Sequence, residues 1–239
     1  MSNRDPFGRH ISPRNPKNMD PVYHRPMHAP APRITAFILA GGKSTRMGAD
    51  KAFVPLDGRT LLARALDIAR SITPEVRIVG DPQKFAVFAP TVEDVFPNCG
   101  PLGGIHAALR SSPTDLNLIL AVDVPFVSPA LLQHLIERAS NSPAMVTVVQ
   151  TGGGYQPLCA VYRRNFADAA EKALQERRYK IDTLFAATST QTIPEGELEA
   201  AGFSPEMFRN LNTPQELADA TEITTPHSPK TNSSAANER

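Results

Sequence analysis

Ile34-Thr35-Ala36-Phe37-Ile38-Leu39-Ala40-Gly41-Gly42-Lys43-Ser44-Thr45-Arg46-Met47-Gly48-Ala49-Asp50-Lys51 is the stretch on which the reading of this chain turns. Ile34 to Leu39 is apolar at nearly every position, the pattern of a strand covered on both faces. The run stops at paired glycines, and a polar loop follows with Lys43, Arg46, Lys51 and a third glycine, Gly48. A buried strand that delivers a Gly-rich, cationic loop suits a phosphate-bearing ligand. Two common phosphate motifs fail here. Gly42-Lys43-Ser44 has Phe37 where a P-loop needs its first glycine, and Lys43 breaks the glycine spacing of the dinucleotide fingerprint.

Outward from this loop, apolar strand-length runs alternate with helical stripes. Asp57-Gly58 marks a turn, and Thr60 caps a helix with apolar positions 61, 62, 65, 66 and 69. Val76–Val79 reads as a strand and Thr91–Phe96 as an extended segment. Asn98-Cys99-Gly100-Pro101-Leu102-Gly103-Gly104 is a second Gly-rich loop, opening a helix over Ile105–Arg110. Leu116–Val122 is a strand that ends at Asp123, and Ser128-Pro129 starts a helix. Met145–Val149 and Leu158–Tyr162 are expected as an antiparallel pair around Gly152-Gly153-Gly154. Helices follow over about 165–177 and 181–187. Thr213-Pro214-Gln215-Glu216 is a capping box for a last helix running to about Ala220.

The alternation predicts an α/β fold, with a mostly parallel central sheet, helices on both faces and a small antiparallel extension. The folded domain is expected at 34–220. Residues 1–33, with seven prolines between Pro6 and Pro32, and the polar segment 221–239 read as disordered tails. In such sheets ligands sit beyond the carboxyl ends of strands. The first loop, Asp94, the second Gly loop and Asp123 all fall near such ends.

The 239 residues carry a net charge of +1, with 41% hydrophobic and 21% charged residues. A balance that close to neutral argues against nucleic acid or an anionic membrane as the main partner. No apolar run approaches the ~20 residues of a membrane span, and no signal-like apolar core precedes Ile34. Cys99 and Cys159 are too few for a disulfide framework or a CxxC metal site, and reduced thiols in a cytoplasmic protein are expected.

The segment Leu39-Ala40-Gly41-Gly42-Lys43-Ser44-x-Arg46-Met47-Gly48-x-Asp50-Lys51 resembles the signature loop of nucleotidyltransferases with a Rossmann-like (GT-A-like) domain. Its paired glycines and terminal Asp-Lys most resemble the molybdenum cofactor guanylyltransferase family. Glu93-Asp94 before Gly100-Pro101-Leu102-Gly103-Gly104-Ile105, then Asp123-Val124-Pro125-Phe126, then Asn210-Leu211-Asn212-Thr213-Pro214 match that family's motifs in order, over about 34–220. The resemblance implies transfer of GMP from GTP to the phosphate of Mo-molybdopterin, with Mg2+ as cofactor and pyrophosphate as by-product. It also implies transient contact with molybdopterin-handling proteins and apo-molybdoenzymes. The alternatives are a cytidylyltransferase for the same cofactor, a sugar-phosphate nucleotidylyltransferase, and a non-catalytic nucleotide-binding partner of molybdoenzymes.

Nucleotidyl transfer develops charge on phosphate oxygens, so it needs fixed cations and N–H donors more than a protein nucleophile. Gly41 and Gly42 let the backbone approach phosphate, and Arg46 and Lys51 neutralise the triphosphate. By resemblance, Leu39, Ala40 and Gly41 hold the guanine nucleotide, Lys51 contacts its phosphates and Asp94 contacts the nucleotide. Asp123, at the end of an apolar strand, suits Mg2+, which binds through one or two carboxylates plus substrate phosphate. Lys51, Arg46 and Asp123 are thus the candidate catalytic residues. Gly104 faces base or acceptor, and Asn212 either ligates the metal or orients the acceptor. Tyr155-Gln156-Pro157-Leu158, Arg163, Arg177, Arg178 and Lys180 offer cations and a flat apolar surface for a phosphorylated pterin. One departure stands out: where the family often carries an Asn after its second strand, this chain has Val79-Gly80-Asp81. Nucleotide contact there falls to backbone or Asp81.

Overall fold

A computed structural model of the chain describes residues 33–41, 50–211 and 215–216. The first strand, β1 (Ile34–Leu39), is buried along its whole length. A 3-10 turn, Lys51–Phe53, and a small hairpin, β2 (Pro55–Leu56) with β3 (Arg59–Thr60), lead into helix α1 (Leu61–Ile72). The Thr60 hydroxyl accepts from the Ala63 N–H at 3.2 Å, and Leu61, Leu62, Ala65, Leu66 and Ala69 form the buried stripe. Each leucine in that stripe contributes about 1.5–3 kcal/mol of apolar burial. β4 (Val76–Val79), α2 (Pro82–Phe85), β5 (Thr91–Val92), α3 (Pro101–Ser111) and β6 (Leu116–Ala121) follow. After α4 (Pro129–Ser140) come β7 (Val146–Thr151), β8 (Gly154–Tyr155) and β9 (Cys159–Arg163), then α5 (Phe166–Gln175) and α6 (Asp182–Phe185). β10 (Thr190–Pro194), α7 (Glu195–Ala200) and a 3-10 turn at Pro205–Phe208 complete the order.

Among the described residues the main sheet runs β10-β7-β9-β6-β1-β4-β5, with β8 on β7. β1, β4, β5 and β6 pair in parallel, as do β7 and β10, and β9 lies antiparallel between β6 and β7. The carboxyl ends of β1, β4, β5, β6 and β7 therefore share one edge. Alternate residues of β1 feed two cores: Ile34, Ala36 and Ile38 face α1 and α4, whereas Phe37 and Leu39 face α3 and α5.

The expected mostly parallel sheet with helices on both faces is present, and so is the antiparallel extension. Two boundaries differ. The extended segment expected over 91–96 keeps ladder pairing only at Thr91 and Val92. Helix α3 begins at Pro101, not Ile105, so Gly103 and Gly104 are helical. A Cβ on Gly103 would lie 2.8 Å from both Asp94 carboxylate oxygens and 2.9 Å from the Phe96 carbonyl. Two glycines inside the first turns of a helix reflect close approach of that helix to its neighbours. The expected tails at 1–33 and 221–239 lie outside the described residues apart from Arg33. Of the expected last helix, only Gln215 and Glu216 are described, and both are helical. No helix among the described residues is long and apolar enough to cross a membrane.

Candidate active site

The shared carboxyl edge is tied together by backbone. Ala40 and Gly41 both donate N–H bonds to the Val79 carbonyl (3.1 and 3.2 Å), Val122 donates to Leu39 (3.3 Å), and Gly80 donates to Val92 (3.0 Å). Leu39 and Ala40 are buried and Gly41 is exposed, so β1 presents its first glycine at the surface of this edge. Gly42, Lys43 and Arg46 lie outside the described residues. The chain re-enters at Asp50, whose carboxylate accepts from the Ala52 N–H and caps the turn that carries Lys51. The other Asp50 oxygen pairs with Lys84 Nζ at 3.0 Å.

That turn aims Lys51 across the edge: its Nζ stands 2.7 Å from Asp123 Oδ2, with both side chains about four-fifths buried (18% and 20% exposed). Sequence placed these residues on one edge but not in contact. Asp123 Oδ1 is buried without a hydrogen-bond partner. Val122 and Val124 on either side are buried too. A desolvated carboxylate oxygen with nothing to bond is costly unless something fills the position. A hard cation fits there. Among the described residues no group of three or more His, Cys, Asp and Glu side chains could hold a metal. Such a cation would therefore share Asp123 with oxygens of a bound phosphate, as Mg2+ does.

The 210–212 motif reaches the same turn. Leu211 is fully buried and donates its N–H to the Asp123 carbonyl at 2.9 Å. Arg209 lies over the Phe126 ring, 4.9 Å from its centroid, a contact worth about 0.5–1 kcal/mol that sequence gave no sign of. Asn212 itself lies outside the described residues.

Asp94, half-buried just past β5, accepts from the Phe96 N–H at 3.1 Å and sits against Gly103. Burial pushes its carboxyl above the ordinary range, against the opposing effects of the Phe96 N–H and of His106. Gly104 is buried, and its open side faces Leu39 and Val79 (a Cβ would meet them at 3.5 and 3.6 Å). Gly104 thus lets α3 pack closely on the sheet beside Leu39. Asp81, which with the backbone was expected to stand in for the missing Asn, caps α2 by accepting from the Gln83 N–H at 2.9 Å through one carboxylate oxygen. Gly80 has a steric cause: a Cβ there would lie 2.8 Å from two atoms of the buried Phe85 ring.

Of the cations considered for the acceptor, Arg163 belongs elsewhere. It lies opposite Leu116 at the amino end of β6, and pairs with Asp115. It also donates to the carbonyls of Ala144 (3.1 Å) and Ser142 (2.8 Å). Arg178 pairs with Glu176. Tyr179 lies beside Cys99, whose thiol raises the tyrosine hydroxyl's pKa, so the segment after α5 comes near the second Gly loop. Tyr155 packs edge-on against Phe185, centroids 5.1 Å apart.

The arrangement has relatives. Residues 36–191 match the MobA-like NTP transferase domain. A molybdenum cofactor guanylyltransferase of Desulfosudis oleivorans is 35% identical over 78% of this chain and 94% of its own length. A probable molybdenum cofactor guanylyltransferase of Pelotomaculum thermopropionicum is 31% identical over 79% and 92%. The crystal structure of molybdopterin-guanine dinucleotide biosynthesis protein A from Archaeoglobus fulgidus superposes with a TM-score of 0.71 at 27% identity, covering 79% of this chain and 97% of that one. With the glycine-ended first strand, the Lys51–Asp123 pair and the 209–211 segment in one edge, the chain belongs to the MobA-like NTP transferase family and is a nucleotidyltransferase.

Proposed function

We propose that this chain transfers GMP from GTP to the phosphate of Mo-molybdopterin and releases pyrophosphate. An oxygen of the acceptor phosphate forms a bond to the α-phosphorus as the bond to the β-phosphate oxygen breaks. The observation that carries this reading is the Lys51–Asp123 pair, with Asp123 Oδ1 unpartnered, at the edge where Leu39, Ala40 and Gly41 emerge. Leu39 to Gly41 line the nucleotide, Lys51 neutralises its phosphates, and Asp94 takes a polar group of the nucleotide. Arg46 adds a second cation on the triphosphate, Gly42 a further backbone approach, and Asn212 the acceptor-side contact. Asp123 would hold Mg2+, which when bound spreads the developing charge on the α-phosphate and the leaving pyrophosphate. The cations fixed by the fold act by electrostatic stabilisation and in-line positioning, with no covalent enzyme intermediate.

The resemblance to guanylyltransferases supports guanine as the base, and the acceptor phosphate is read to lie toward Tyr155 and the Cys99–Tyr179 contact. The reading places the reaction in the cytoplasm, with only transient hand-over to molybdopterin-handling proteins and apo-molybdoenzymes. The unbridged thiols Cys99 and Cys159 fit that compartment. Pyrophosphate release measured with each nucleoside triphosphate, with and without molybdopterin, tests it. Turnover is expected with GTP and acceptor together; turnover with CTP and none with GTP would replace the guanylyl assignment by a cytidylyl one.

A further inference from the structure

Lys51 and Asp123 carry two tasks that their contact does not allow at once. As Lys51 Nζ lies 2.7 Å from Asp123 Oδ2, one cation stands beside the carboxylate read as the metal's anchor. We propose that Lys51 is the resident counter-ion of Asp123 in the nucleotide-free protein. The arriving metal–triphosphate displaces it, so that the divalent cation enters with the nucleotide and not before it. This deepens the nucleotidyltransferase reading and rests on it.

Asp123 follows the wholly buried strand β6 and lies between buried Val122 and Val124, and its own side chain is only 20% exposed. A carboxylate so placed is strongly disfavoured without a compensating charge. Lys51 supplies it through Oδ2 and leaves Oδ1 bare. A free dication approaching Oδ1 meets the ammonium a few ångströms away. Even at an effective dielectric of about 20, that repulsion exceeds what a tenfold loss of affinity requires. A metal–triphosphate brings a cation for Asp123 and phosphate oxygens for Lys51 in the same step. Neither side chain is then left buried without an opposite charge. The 3-10 turn that carries Lys51 is short and begins at a capped residue, so the lysine changes partner by side-chain rotation with Asp50 fixed.

The test is Mn2+ binding to the full chain, read from the loss of the free-ion EPR signal, first without nucleotide. Lys51→Met keeps the aliphatic stem and removes the charge, and is expected to tighten nucleotide-free Mn2+ binding at least about tenfold. Lys51→Arg keeps the charge and should bind as weakly as wild type. Lys51→Gln repeats the neutralisation should methionine disturb the turn. Equal nucleotide-free binding by wild type and both neutral variants would overturn the exchange. The second arm adds a GTP analogue with a non-cleavable α,β linkage. If Asp123→Asn weakens Mn2+ binding there while the neutral lysine variants show no gain without nucleotide, the exchange fails and the metal assignment stands. If Asp123→Asn binds Mn2+ with the analogue as wild type does, both fail.

Discussion

Asp123→Asn removes one charge from the site while keeping the side chain's shape, and its two consequences separate cleanly. The stability cost is small. The Lys51–Asp123 pair is about one-fifth exposed at each end, and the amide oxygen of the variant still accepts from the Lys51 ammonium. A loss of about 1 kcal/mol is expected, near the top of the range for partly solvated pairs. For a domain of this size that lowers Tm by about 2–4 °C. The catalytic cost is large, because the charge is removed where phosphate charge develops in a water-poor site. Loss of one preorganised electrostatic contact of that kind costs about 10²–10³-fold in kcat. The assay pairs initial rates of pyrophosphate release at saturating Mg2+ with a thermal melt of the same preparation. A rate within tenfold of wild type would refute the assignment. So would a Tm drop beyond about 10 °C, since the lost activity would then report unfolding.

Three further outcomes follow from other contacts. Burial raises the Asp94 carboxyl above its unfolded value, so the ionised group costs stability above its folded pKa, and the cost fades as pH falls through that value. Asp94→Asn should therefore raise the denaturation midpoint at pH 7, lose that gain in acid and weaken GTP binding; an equal gain at pH 4 would contradict the burial argument. Gly80→Ala drives a Cβ to 2.8 Å from the Phe85 ring and should cost about 1–3 kcal/mol in urea unfolding, partly recovered by adding Phe85→Leu. Burial pushes the Cys159 thiol to about 12, so at pH 8 a chromogenic disulfide reagent should modify half-exposed Cys99 alone, with Cys159 reacting only after denaturation.

The sequence made the parallel half of the sheet legible because β1 and β6 are apolar runs interrupted only by Thr35 and Asn117, each leading to a chemically distinctive residue, Gly41 and Asp123. Capping residues such as Thr60 and Ser128 gave helix starts for the same local reason. α3 starts earlier than its sequence suggests because glycine usually signals loop, whereas Gly103 and Gly104 are helical and let the helix approach Asp94 and the sheet. β10 and α7 went unread, since Thr190–Pro194 is only partly apolar and gains its strand character by pairing with β7. Within the site, motif order put Lys51 and Asp123 on one edge, but their contact spans 72 positions and depends on the Asp50-capped turn. Arg163 looked like a ligand cation because composition does not say which end of a strand a residue occupies. Its place opposite Leu116 puts it at the amino end, among carbonyls. Gly80 reads as a lost contact in sequence because only the fold brings Phe85 into the space a side chain would need.

On the proposed reading this edge moves the α-phosphorus of GTP onto a pterin phosphate. Incubating the chain with GTP labelled at the α-phosphate, Mg2+ and molybdopterin, then separating the products, follows that atom directly. Label is expected in a new species containing both guanine and pterin, formed one-for-one with unlabelled pyrophosphate and absent with Asp123→Asn. Label remaining in GTP, or released as free GMP at the same rate without acceptor, would contradict it.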